Sequence, residues 1–204
     1  GSTDNNIVPT KENQPAWPSF LDHHESDPAK QYKAVIGSDD VKIPMKKHLF
    51  YSPDGFEWTP YENNPIIDYT PEIGRWGPHK FMGWDPIRET YAVYMETSVH
   101  WLGPYGKRII GRAESPDMIH WSEPEIVLVP DEDDFPDTEF YSMPVIAYEG
   151  IYVGMLWIFR TTNVTHHPEV VFSRDGVHYE RNYREPFIPR GGGREDFDSS
   201  SVYV

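Results

Sequence analysis

The chain has 204 residues, 38% hydrophobic and 15% aromatic, enough to bury a real core. Its 33 acidic against 18 basic residues give a net charge of -15, a field that repels a phosphate backbone and excludes nucleic acid as a partner. Without cysteine there is no disulfide, thiolate zinc site or thiol nucleophile, and the most apolar run, residues 151–159, is too short to span a membrane.

With 20 Pro and 15 Gly punctuating aromatic-rich runs, the chain reads as short strands and turns, an all-β fold. Taken in order, residues 16–21 form a first inner strand, followed by Asp27-Pro28-Ala29-Lys30-Gln31-Tyr32 as a turn into a strand. Ser52-Pro53-Asp54-Gly55-Phe56-Glu57-Trp58 is the next turn and Pro65-Ile66-Ile67 an outer strand. The order recurs with an inner strand at 80–84, an Asp85-Pro86 hairpin, the strand Tyr91-Ala92-Val93-Tyr94-Met95, the turn Ser115-Pro116-Asp117 ending on Trp121, and an outer strand at 126–129. It recurs again with an inner strand at 140–147, the Glu149-Gly150 turn, the strand Tyr152-Val153-Gly154-Met155-Leu156-Trp157, and Ser173-Arg174-Asp175-Gly176 ending on Tyr179. Residues 197–204 occupy the phase of a fourth inner strand.

The serines of the three turns lie 63 and 58 residues apart, so one supersecondary unit repeats about every sixty residues. In each turn the Asp side chain caps backbone N–H groups, Gly supplies φ > 0 and the trailing aromatic packs between layers, a structural device. Four short strands per unit suit one blade of a β-propeller, with units at 16–75, 76–135 and 136–192 and the start of another at 193–204. About three blades leave sheet edges to cover, by further blades completing the ring or, as the alternative, by an oligomer of open three-sheet stacks.

These repeats, with Trp84-Asp85-Pro86, Phe140-Tyr141-Ser142-Met143-Pro144-Val145, Tyr148-Glu149-Gly150-Ile151-Tyr152 and Phe197-Asp198-Ser199, resemble uncharacterised bacterial proteins related to glycoside hydrolase families 32 and 43. The resemblance implies a five-bladed propeller, a carbohydrate substrate in a funnel lined by the first residues of the inner strands, and an extracellular or periplasmic setting. It places Glu139, Asp198 and His79 at that funnel. The chain contains neither Asn-Asp-Pro-Asn-Gly nor Arg-Asp-Pro, and Asp85 has the phase of a hairpin turn, a structural place.

Glycoside hydrolysis needs one neutral and one ionised carboxyl group flanking the sugar. Glu139 is the candidate acid, since Asp133, Asp134 and Asp137 nearby favour its protonated form; the competing reading makes 131–139 a solvated acidic loop. Asp198 is the second carboxylate, after the Gly-rich segment that offers Arg194 to a ligand. His79, Lys80, Trp76, Tyr141 and Arg160 complete the candidate binding set, with Trp76 as a stacking platform and Arg160 balanced between the funnel and a carboxylate partner. The adjacent pairs His23-His24 and His166-His167 read as loop residues, because neighbours on a strand face opposite ways and chelate poorly. No cofactor is required; a structural calcium suits the acidity and the resemblance, although no contiguous calcium loop exists. The function expected is that of a glycosidase; the alternatives are a non-catalytic carbohydrate-binding or protein-interaction propeller and a glycan phosphorylase or transferase.

Overall fold

A computed structural model describes residues 19–37, 46–67, 79–98, 106–193 and 195–203. It is all-β: among the described residues the helical content is a single 3-10 turn, Pro28–Lys30, and no helix is long and apolar enough to cross a membrane. Two compact units are formed, one of Gly1–Tyr69 with Met118–His120, the other of Thr70–Asp117 with Trp121–Val204.

The first unit holds an antiparallel meander of β1 (Ser19–Leu21), β2 (Tyr32–Gly37), β3 (Lys47–Ser52) and β4 (Thr59–Pro60). The second holds the meander β5 (His79–Asp85), β6 (Thr90–Ser98), β7 (Arg108–Ser115) and β8 (Glu125–Leu128). Its other sheet comprises β9 (Thr138–Ser142), β10 (Val145–Tyr148), β11 (Ile151–Arg160), β12 (Thr165–Ser173) and β13 (Tyr179–Glu180). β9 and β10 pair with successive halves of β11, so they are one inner lane broken at Met143-Pro144, where proline lacks the ladder donor.

The three sheets share one register. Tyr32 lies opposite Ser52, Tyr91 opposite Ser115 and Tyr152 opposite Ser173. In the turns that follow, Ser52 and Ser173 Oγ each accept the glycine N–H at 2.9 Å, and Asp54 and Asp175 each accept two further backbone N–H groups. Gly176, at φ 78°, is required twice over: a Cβ there would also come within 3.0 Å of the Tyr152 ring. Met118 takes this place in the middle turn at φ 67°, and its complete burial offsets the backbone strain.

The registers correct the sequence alignment of the hairpins. Asp22 follows the Leu21–Tyr32 pair as Asp85 follows the Trp84–Tyr91 pair, so Asp22, not Asp27, is the counterpart of Asp85. Asp22 is buried against Lys33, whereas Asp27 caps the 3-10 turn. The expected outer strand at 65–67 is reduced to one antiparallel bridge, Ile67 to Lys47, on the edge of β3 that also takes β4 (Thr59–Pro60), and between them the Asn64 side chain bonds both Leu49 N and Leu49 O at 2.8 Å. Residues 197–203 form no inner strand; they make one parallel bridge, Ser201 to His166, and Phe197 is fully exposed.

In the second unit the two sheets close on each other through Tyr94, Ile110 and Leu128 of one and Phe140, Met143, Leu156, Ile158 and Val171 of the other. Gly154 allows this packing, since a Cβ there would stand 2.9 Å from Val171 and 3.2 Å from Met143.

Candidate active site

Where β7 and β12 begin and β11 ends, cross-strand pairing places Glu139, Phe159 and His166 in one row, on one face of their sheet. Arg108, the first residue of β7, reaches into this row and ion-pairs Glu139, with its guanidinium 5.4 Å from the Phe159 ring centre and 5.8 Å from that of Tyr141. Its Nε lies 3.5 Å from the buried Glu96 carboxylate on β6. Glu96 thus holds Arg108 from behind and Arg108 holds Glu139, which is the more accessible of the two carboxylates.

Rings surround this ion chain. His166 stacks on Phe159 at 4.5 Å and 11° and meets the edge of Tyr141 at 5.0 Å. Tyr203 packs on both Trp157 at 4.6 Å and His166 at 5.2 Å, and Lys80 Nζ stands 4.6 Å above the Trp157 ring. His166 Nδ1 is taken by the Ser201 and Tyr203 hydroxyls at 3.0 and 3.1 Å. Burial, with Arg108 and His167 adding to it, holds the imidazole below its ordinary pKa and therefore neutral at pH 7. Three buried polar atoms on this sheet have no partner: His166 Nε2, Trp157 Nε1 and Ser142 Oγ. Buried donors and acceptors are nearly always satisfied, by protein or by ordered water, so these three atoms keep bonding capacity beside the partly accessible Glu139.

The comparison with the sequence reading is mixed. Glu139, Tyr141 and Lys80 come together here. Asp198 lies in the neighbouring segment against Gly191, where an added side chain would collide with it, and does not share the Arg108 ion pair. Arg160 is committed elsewhere, to Asp137 at 2.6 Å, which it draws down to about 2. Trp76 and Arg194 lie outside the described residues, and His79 is described only through its backbone, paired with Met95.

The acidic stretch is largely solvent-exposed, with the Asp133 side chain at 77%, while Asp131 is bound by Arg184 and the buried Asp134 side chain by a two-pronged contact from Arg181 at 2.7 and 2.9 Å, so its charges are not aimed at Glu139. Arg108, and not the acidic stretch, is the charged group against Glu139. Nor does His166-His167 lie in a loop; both are on β12, facing opposite ways.

Sequence reasoning missed Arg108, Glu96, His166, Trp157, Phe159 and Tyr203. Glu96 carried a signal, an acidic residue ending the apolar run 91–95 inside one strand. Among the described residues, no group of three or more His, Cys, Asp or Glu side chains is placed to hold a metal ion.

Neither a family model nor a curated protein sequence matches the chain. Solved structures do. One titled glycoside hydrolase superposes with a TM-score of 0.65 at 15% identity, over 85% of this chain and 53% of that one. An N-acetylgalactosamine deacetylase from F. plautii, in complex with blood group B trisaccharide, gives 0.60 at 16% identity, over 78% and 50% of the two chains. Sucrose-6-phosphate hydrolase from Lactobacillus gasseri gives 0.55 at 16%, over 76% and 31%. These are propeller folds of the glycoside-hydrolase type. The chain spans about half the length of the first two and a third of the last; at such identities the likeness is one of fold.

Proposed function

We propose that the protein is a glycosidase-like, carbohydrate-acting module whose sugar lies against the Tyr141–Phe159–His166–Trp157 surface. The observation that carries this reading is the conjunction of ring faces, an ion-paired carboxylate and unpartnered buried polar atoms in one cluster. Sugars present apolar ring faces to aromatics and hydroxyls to fixed polar groups, and this surface offers both. Glu139, ion-paired to Arg108, acts as a base or stabilises developing positive charge; Lys80 and His166 Nε2 bind hydroxyls. Asp198 is the second carboxylate of the proposal, on the segment that also delivers Ser201 and Tyr203 to His166. The five-bladed ring belongs to the same proposal, supported by three sheets of one register.

A second reading, non-catalytic carbohydrate binding, is favoured by one observation: among the described residues, no second accessible carboxylate shares the Glu139 ion pair. Screening an oligosaccharide panel for products and for binding separates the two. Turnover abolished by Glu139→Gln with binding retained supports the glycosidase; wild-type binding without turnover supports the binder; neither binding nor turnover overturns both.

A further inference from the structure

A second cavity of about 700 Å³ opens beside the start of β12, lined by Asn163, Thr165, His167, Arg190, the glycines 191–193, Ser199 and Ser200. His167 is the neighbour of His166 on the strand, so this cavity lies on the face turned away from the aromatic cluster. Its volume falls in the range of small-molecule sites.

What sets the cavity apart is its charge. The chain carries 33 acidic residues against 18 basic ones, yet the cavity is lined by no Asp or Glu, and its ionisable lining groups are Arg190 and His167. Of the nearest acids, Glu169, 3.8 Å from His167, is bound to Arg181 at 2.8 Å, while Asp196, which accepts Gly193 N–H at 2.7 Å, and Asp198 lie behind the lining glycines. Arg190 is fixed in place by one bond to the Ser199 carbonyl, which leaves its planar fork further N–H donors suited to a carboxylate. Around it stand the Ser199, Ser200 and Thr165 hydroxyls, the Asn163 amide, and Gly192, whose missing side chain leaves open space. A guanidinium among hydroxyl-binding groups, in a lining that itself includes no carboxylate, matches a ligand that is both anionic and rich in hydroxyls.

We infer that this cavity binds an acidic sugar residue, a hexuronate held through its carboxylate by Arg190, as a subsite apart from the aromatic cluster. The inference rests on the carbohydrate reading proposed above and narrows its substrate class to acidic glycans. Binding falls with rising salt, because the contact is ionic in a partly open site.

The test is two-dimensional NMR and calorimetry on the 204-residue chain with galacturonate, glucuronate, galactose, glucose and glucose 6-phosphate. The expected result is uronate affinity at least about tenfold above that of the neutral sugars, with amide shifts at Gly191, Gly192, Gly193, Ser199 and Ser200, as one charge-assisted contact predicts. Arg190→Gln removes the preference and Arg190→Lys restores part of it; His167→Gln weakens it if loop rearrangement obscures the Arg190 variants. Equal affinity for uronates and neutral sugars, or a preference unchanged in Arg190→Gln, overturns the inference. Stronger binding of glucose 6-phosphate than of either uronate overturns the hexuronate assignment in favour of a phosphorylated sugar. If neutral oligosaccharides shift Phe159 and His166 while uronates leave the glycines untouched, only this inference fails. If no sugar perturbs either region, the carbohydrate reading fails with it.

Discussion

β7 carries two arginines four residues apart on one face, and they end in opposite situations. Arg112, at 3% exposure, binds Asp85 at 2.7 Å and the Tyr94 hydroxyl at 3.1 Å, and also pairs Glu114. Tyr152 donates to both Asp85 oxygens at 2.9 Å, Tyr179 donates to Tyr94, and Tyr94 donates to the Gly176 carbonyl. That network is closed: burial, first among the causes, raises the Tyr94, Tyr152 and Tyr179 pKa values and keeps all three phenols neutral. Arg108, by contrast, binds carboxylates at the edge of a cluster that leaves His166 Nε2 and Trp157 Nε1 unpartnered. The same residue type on the same strand is structural where every partner is supplied from within, and belongs to the proposed sugar site where partners are withheld.

The largest expected effect lies at the closed end. Arg112→Met strips a buried Asp85 of its cation and lowers unfolding free energy by about 3–5 kcal/mol in denaturant titration. A loss below about 1 kcal/mol would equate this network with a surface ion pair. Tyr152→Phe removes only the phenolic donor to Asp85 and costs about 1.5–3 kcal/mol, as expected for a hydrogen bond to a charged group.

At the open end Glu139→Gln, nearly isosteric and leaving Arg108 on Glu96, changes stability by less than about 1 kcal/mol, because the broken pair is partly exposed. It abolishes turnover of the oligosaccharide found in the screen while leaving its binding within about tenfold of wild type. A large stability loss with unchanged turnover would make the two ends alike.

The smallest effect is pH dependence. The pKa of His166 is lower in the folded state than in the unfolded one, so between the two values the unfolded chain binds more protons. His166 therefore costs stability as pH falls through about 6.5, the unfolded His value, toward the folded one. The exposed His178–Asp175 pair has the opposite sign, since Asp175 raises the His178 pKa. The measurement is the difference between wild type and His166→Phe in melts across that range. In the Arg112 network, the absence of a histidine predicts a flat response to the same change.

The sequence by itself determined the all-β composition, the recurrence of Ser-x-Asp turns and the tyrosine that precedes each turn by one hairpin. These follow from local chemistry: Asp and Ser cap the turn, Gly or a strained Met118 completes it, and alternation sets the strands. It also placed Glu139 and Tyr141 near the start of an inner strand, where the structure has them. Only the tertiary structure decided which charges meet. Arg108 finds Glu139 31 residues away and Tyr152 finds Asp85 67 away, and neither separation has a local signature. The acidic stretch is solvated over much of its length, as its charge suggests, but the sequence did not show that Arg160, Arg181 and Arg184 from later strands and turns would pair Asp137, Asp134 and Asp131. The fourth inner strand failed for a related reason: residues 199–203 are held by the edge of β12, through His166 backbone bonds to Ser200 and Val202, and not by a ladder of their own.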